Sequence, residues 1–160
     1  MRAFVDATGR TWTVAITVDA IKRVRGLLKV DLLEVVDGKL VDRLVSDPIL
    51  LCDVVYAVCK PEADTRGVTD ADFGRAMAGD AIDGAVTALL EDLVDFFPQA
   101  RRRLLAKAVQ KLRHIETLAV EAGEARLDSP EMEARLRALL AEPNASSGSS
   151  PASPASPPAP

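Results

Sequence analysis

The side chains in this sequence that carry chemistry are few and scattered. Cys52 and Cys59 stand seven residues apart in a stretch of helical character, which puts them on one face about 10 Å apart along the axis. A pair so placed cannot close a disulfide within one straight helix, and structural thiols in a reducing compartment are the simplest reading. His114 is the one histidine, with no second histidine or cysteine within four residues, so a metal site has scarcely any ligands to draw on. A catalytic role for it would need a nucleophile and an orienting acid that the sequence does not place beside it. Asp70, Asp72, Asp80 and Asp83 are the nearest approach to a carboxylate cluster. Their spacing departs from a calcium loop, which needs ligands at positions 1, 3, 5 and 12 around an internal glycine, and acids at helix starts account for them better. No glycine-rich phosphate loop, zinc motif, nucleophile elbow or dinucleotide fingerprint is present. The reading is a non-enzymatic protein with no cofactor and no metal.

Charge gives the second constraint. The chain of 160 residues has a formal charge of −4 and a pI near 5.1, a balance that does not favour nucleic acid or an anionic membrane. Residues 1–97 hold 17 acidic and 11 basic side chains, whereas residues 98–160 hold 7 and 9. The basic side chains concentrate in Lys22, Arg23, Arg25 and Lys29, and in Arg101, Arg102, Arg103, Lys107, Lys111 and Arg113. For the second group, pairing with an acidic helix over 80–97 is weighed against phosphate contacts, and the overall acidity favours the first. The start Met-Arg-Ala-Phe-Val-Asp has no long apolar run, and no stretch approaches 18 uncharged apolar residues. A soluble cytoplasmic protein without a membrane segment is expected.

The elements that position these residues are mainly helical. The strongest apolar pattern is Asp80–Phe97, where Ile82, Val86, Leu89, Leu93 and Phe96 or Phe97 recur at steps of three and four. Ahead of it, Arg2–Asp6 and Thr11–Thr17 flank a turn at Gly9 and read as a β-hairpin, with Trp12 as its buried anchor. A helix capped by Thr17 or Asp19 runs to about Leu28. Residues 31–45 fit either a second hairpin around Asp37-Gly38 or short helical turns, and stay open. Ser46-Asp47-Pro48 starts a helix that Lys60-Pro61 is expected to end, leaving a loop over 61–68. Thr69 with Asp72 opens a short helix with Phe73 inward.

After Pro98 a long helix spans roughly 99–123, and Asp128-Ser129-Pro130 caps a last one, roughly 131–140. Pro143 to Pro160 holds six of the ten prolines and no charge, the composition of a disordered tail. The expected fold is mainly α: a small N-terminal β-hairpin on a bundle of about five helices over 1–142, then the low-complexity tail 143–160. Core anchors are Trp12, Phe73, Leu89, Leu93, Phe96 and Phe97. Candidate partner-binding residues are Met132, Leu136, Leu139 and Leu140 on the last helix, with Leu112, Ile115 and Leu118 as a second patch.

Several runs carry a resemblance. Asp6-Ala-Thr-Gly-Arg-Thr-Trp-Thr-Val, Val18-Asp-Ala-Ile-Lys-Arg-Val, Asp47-Pro-Ile-Leu-Leu and Val68-Thr-Asp-Ala-Asp-Phe, followed by Gly79-Asp-Ala-Ile and Leu93-Val-Asp-Phe-Phe-Pro, resemble small tail-gene proteins of long-tailed bacteriophages and prophages, tail assembly chaperones in particular. The resemblance covers about residues 4–100. It implies a protein that coats the helical tape measure protein, keeps it soluble and recruits tail tube subunits. It also implies a place in the host cytoplasm and absence from the finished virion. Such proteins are often made in two lengths by ribosomal frameshifting; the family offers no catalytic residues to carry over. A helical adaptor or structural subunit that stays in the particle is the rival class, and a small regulatory protein contacting nucleic acid through residues 101–113 is a third. The sequence leaves self-association and stoichiometry open.

Overall fold

The computed structural model describes residues 1–141; the Pro/Ser/Ala-rich tail expected over 143–160 lies outside them. The chain divides into two compact units, Met1–Arg113 and His114–Pro160. The boundary falls inside a helix, where no change of composition marks it.

The first unit opens with the expected hairpin. Strands β1 (Arg2–Val5) and β2 (Thr11–Val14) pair antiparallel with Phe4 opposite Trp12. Gly9 takes the positive φ of the reversal, +83°. One buried carboxylate holds the turn together. Asp6 accepts from the Thr8 N–H at 2.9 Å, the Thr8 hydroxyl at 2.6 Å, the Arg10 N–H at 3.0 Å and, on its other oxygen, the Trp12 indole N–H at 2.9 Å. Burial alone would raise its pKa, but these donors outweigh burial and hold it below the ordinary 3.8.

The helices follow local signals. Helix α1 (Val18–Leu28) is capped by the Thr17 side chain and closed by Lys29 in the left-handed region. Residues left open between hairpin and helix are helical: a 3-10 segment (Leu32–Asp37) capped by Asp31, then α2 (Lys39–Ser46). Gly38, at φ +77°, serves the turn between them instead of a β-hairpin. Helix α3 (Pro48–Arg66) starts on the Asp47 cap, which accepts from the N–H groups of Ile49 and Leu50. Helix α4 (Asp70–Ala76) has the reciprocal Thr69–Asp72 capping box. Helix α5 (Asp80–Phe96) stops before Pro98. Helices α6 (Gln99–Leu127) and α7 (Pro130–Ala141) complete the described elements, giving a mainly α fold with seven α-helices among the described residues.

One expectation is corrected. Pro61 does not end α3, which continues to Arg66 and closes on Gly67. A proline inside a helix leaves the carbonyl four residues back without its donor. Here Arg23 of α1 supplies it: its Nη1 donates to the carbonyls of Ala57 and Val58, both at 3.1 Å. The penalty of the proline is met by a side chain 38 positions away in sequence from it, which local pattern reading cannot see.

The core of this unit lies between the hairpin, α1, α3 and α5. Phe73 is its aromatic hub, edge-on to Trp12 at 5.0 Å and to Phe4 at 6.5 Å, with Tyr56 at 5.4 Å. Trp12, Phe73, Leu89 and Leu93 are fully enclosed and Phe97 is buried. Phe96 is half-buried, stacked edge-on against Phe97. In α5, Asp92 is buried and accepts the Ile16 N–H at 2.5 Å, with the Met1 ammonium as its ionic partner.

Candidate partner-binding surface

Within the first unit α6 is anchored by its early turns. Leu105 and Val109 are buried and Leu112 half-buried against the core, while Leu104 points outward. The acidic side of α5 takes up two of the arginines. Arg102 donates to the Asp95 carbonyl at 2.7 Å, and Arg113 reaches the Glu91 carboxylate at 3.4 Å. Arg101, Arg103, Lys107 and Lys111 are exposed and pair with no acid among the described residues. His114 is exposed.

The second unit holds the end of α6 and all of α7. Ser129 caps α7, its hydroxyl accepting the Met132 N–H at 3.3 Å. The helix is amphipathic in sequence, yet its apolar side is uncovered: Leu136, Leu139 and Leu140 are 52, 70 and 87% exposed. Met132, Leu136 and Leu139 line one groove of about 500 Å³ together with Arg135 and Ala138; Leu140 is not among its lining residues. On the α6 segment of the same unit Ile115, Leu118, Val120 and Leu127 are likewise half exposed or more. Single exposed leucines are ordinary, but a run of them over two helices is the form taken by a partner-binding surface. Of the second candidate patch, Ile115 and Leu118 are thus exposed one turn apart, while Leu112 belongs to the first unit and packs on its core.

The residues with reactive potential have structural posts. Burial, helped by Asp53 and Asp70, pushes the Cys52 thiol up to about 11. Burial likewise pushes the Cys59 thiol up to about 12, and its Sγ faces the Thr13 carbonyl at 3.5 Å. Thiols so shifted are poor nucleophiles and poor metal ligands. Asp72 is spent on the capping box and on Arg75. Among the described residues no group of three ligating side chains could hold a metal ion, and no helix is long and apolar enough to cross a membrane.

Two features escaped sequence reading. The Asp6 turn offered a weak signal, an acid two residues before Thr8. A groove of about 720 Å³ between β1 and α5 had a better one, since a lone two-stranded sheet must leave its edges to something. No protein-family model, curated protein or solved structure matches the chain.

Proposed function

We propose that this protein is a non-enzymatic tail assembly chaperone that shelters the apolar stripes of a helical tape measure protein in the host cytoplasm and brings tail tube subunits to it. The observation that carries the reading is the uncovered row Leu136, Leu139 and Leu140, with Ile115, Leu118 and Leu127 in the same unit. A helix with its apolar side in water gains free energy by laying that side against another amphipathic helix. The tail-gene resemblance supplies the identity of the partner. It rests on residues of the first unit, while the surface argument rests on the second, so the two supports are independent.

The test is co-expression with the long helical protein encoded beside it, scoring soluble complex for the native chain and for Leu136→Asp with Leu139→Asp. Each leucine buried on binding contributes about 1.5 kcal/mol, so the pair of substitutions weakens binding on the order of 100-fold. Equal recovery with the double variant rejects α7 as the docking site. No complex with the native chain counts against the chaperone assignment, and finding the protein in finished particles favours an adaptor retained there. The four cations of α6 that pair with no acid among the described residues support a second reading, nucleic-acid contact. That reading requires affinity to fall steeply between 50 and 200 mM salt.

A further inference from the structure

Both edges of the hairpin need partners, and among the described residues only one has them. In an antiparallel ladder, residues of alternate opposed pairs turn their N–H and C=O groups outward. On β2 the outward residues are Thr11 and Thr13, and α3 seals them: the Thr13 N–H donates to Glu62 at 2.9 Å, and Arg66 donates to the Thr11 carbonyl at 2.7 Å. Their partners in the register are Val5 and Ala3, so these two turn their backbone groups outward along the free edge of β1. Asp6 and Arg10 confirm the alternation, since the Asp6 N–H bonds the Arg10 carbonyl across the turn at 2.8 Å. At the next outward position the Ala7 N–H is taken by the Ala76 carbonyl at 2.9 Å. No group among the described residues bonds the outward N–H and C=O of Ala3 and Val5.

This edge forms one wall of the 720 Å³ groove. Helix α5 runs alongside, with Arg2 ion-paired to Asp95 near its C-terminal end and Asp80 at its start. The lining it contributes is small: Ala81, Gly84, Thr87 and Ala88. Gly84 lies under Phe4, where an added Cβ would come 3.4 Å from the Phe4 Cβ. A strand laid on β1 would direct the side chain opposite Phe4 toward this trough. Charge distinguishes the two ends of the groove. Arg2 is balanced by Glu91 and Asp95, whereas Asp80 is exposed and has no ion-pair partner among the described residues.

We propose that the free edge of β1 is a strand-docking site for an extended segment of another protein, one that adds antiparallel to β1, points an aliphatic side chain at Gly84 and sets a basic residue near its own N-terminal end against Asp80. A second copy of this chain does not fit. Symmetric pairing of β1 with β1 would bring two α5 helices to about 5 Å, the spacing of neighbouring strands, where packed helices need about 8–10 Å. The site is distinct from the leucine surface of α7, and its test does not depend on that surface.

The test uses the full chain, labelled with nitrogen-15, and a synthetic peptide, acetyl-Lys-Val-Ala-Val-Ala-Val-Ser amide. Addition of peptide is expected to shift the Ala3 and Val5 amides and slow their hydrogen exchange at least tenfold. Val5→Pro removes an outward donor and no ladder bond, so it should weaken the peptide at least tenfold while leaving the thermal midpoint within a few degrees. Asp80→Lys keeps the fold and should reverse the preference, favouring a peptide with glutamate in place of the lysine. Absence of shifts at Ala3 and Val5 at millimolar peptide overturns the proposal, as does binding indifferent to both substitutions. Protection of these two amides before peptide is added, whether by a second copy or by the chain itself, also overturns it.

Discussion

Replacing Arg23 by methionine tests how α3 survives Pro61. Methionine keeps the aliphatic stem but removes the donor that serves the carbonyls of Ala57 and Val58. One Nη1 is shared between the two oxygens, so the loss is near that of a single charge-assisted hydrogen bond, roughly 2 kcal/mol. The ion pair with Asp19 is open to solvent on the Asp19 side and adds only a few tenths. In urea a loss of that size lowers the midpoint by roughly 1 M. The sharper result comes from repeating the substitution in Pro61→Ala. Alanine restores the N–H that bonds the Ala57 carbonyl, so Arg23→Met should then cost about 1 kcal/mol or less. The cycle thus carries a coupling of about 1 kcal/mol, above the scatter of about 0.5 kcal/mol seen for independent sites. The assay is equilibrium urea unfolding of the four proteins by circular dichroism, with unchanged m values as the check on two-state behaviour. Additive losses would refute the view that Arg23 stands in for the missing helix donor.

Three further outcomes follow from Asp6 and the two cysteines. Asp6→Ala strands the Trp12 indole N–H and frees the turn, and should cost about 2–4 kcal/mol by urea unfolding; a loss under about 0.5 kcal/mol would dissolve the account of the hairpin. Because the folded pKa of Asp6 lies below its ordinary 3.8, its contribution is present above that value and is lost as pH falls through the folded value. Asp6→Asn should therefore flatten the acid limb of a stability profile measured below pH 4. Cys52 and Cys59, raised to about 11 and about 12, should resist a thiol-reactive disulfide reagent at pH 8 in the folded protein and react promptly in urea. Prompt reaction without denaturant would mean that burial does not hold these two thiols in their protonated form.

Local signals were readable where one residue settles the outcome. Asp47 followed by proline, Thr69 with Asp72, and Gly9 between alternating strands each name a cap or a turn without help from elsewhere in the chain. The mainly α class and the buried anchors Trp12, Phe73, Leu89 and Leu93 follow from the same patterns. Residues 31–45 are ambiguous in sequence because Asp-Gly between apolar runs serves a β-turn and a helix junction equally well. Burial of Leu32, Val35, Leu40 and Leu44 decided for helix through packing that spacing cannot encode. Pro61 misleads for the opposite reason. Its local meaning is strong, and only a distant arginine overrides it.

The candidate surfaces sat at the limit of what periodicity can tell. The stripe of α5 and the stripe of α7 look alike in sequence, since both put leucines at steps of three and four. One is enclosed by the hairpin and α3; the other faces water. The difference lies in how much complementary surface the remaining elements bring. The first unit has a hairpin, α2 and α3 to lay over α5, whereas Leu136, Leu139 and Leu140 are left at least half exposed. Amphipathicity thus states that a helix wants cover, and the three-dimensional account states whether it has any. The same holds at the hairpin, where two strands of equal length end differently because Glu62 and Arg66 of α3 reach β2, while the small residues of α5 beside β1 leave room and make no bond to its outward backbone groups among the described residues.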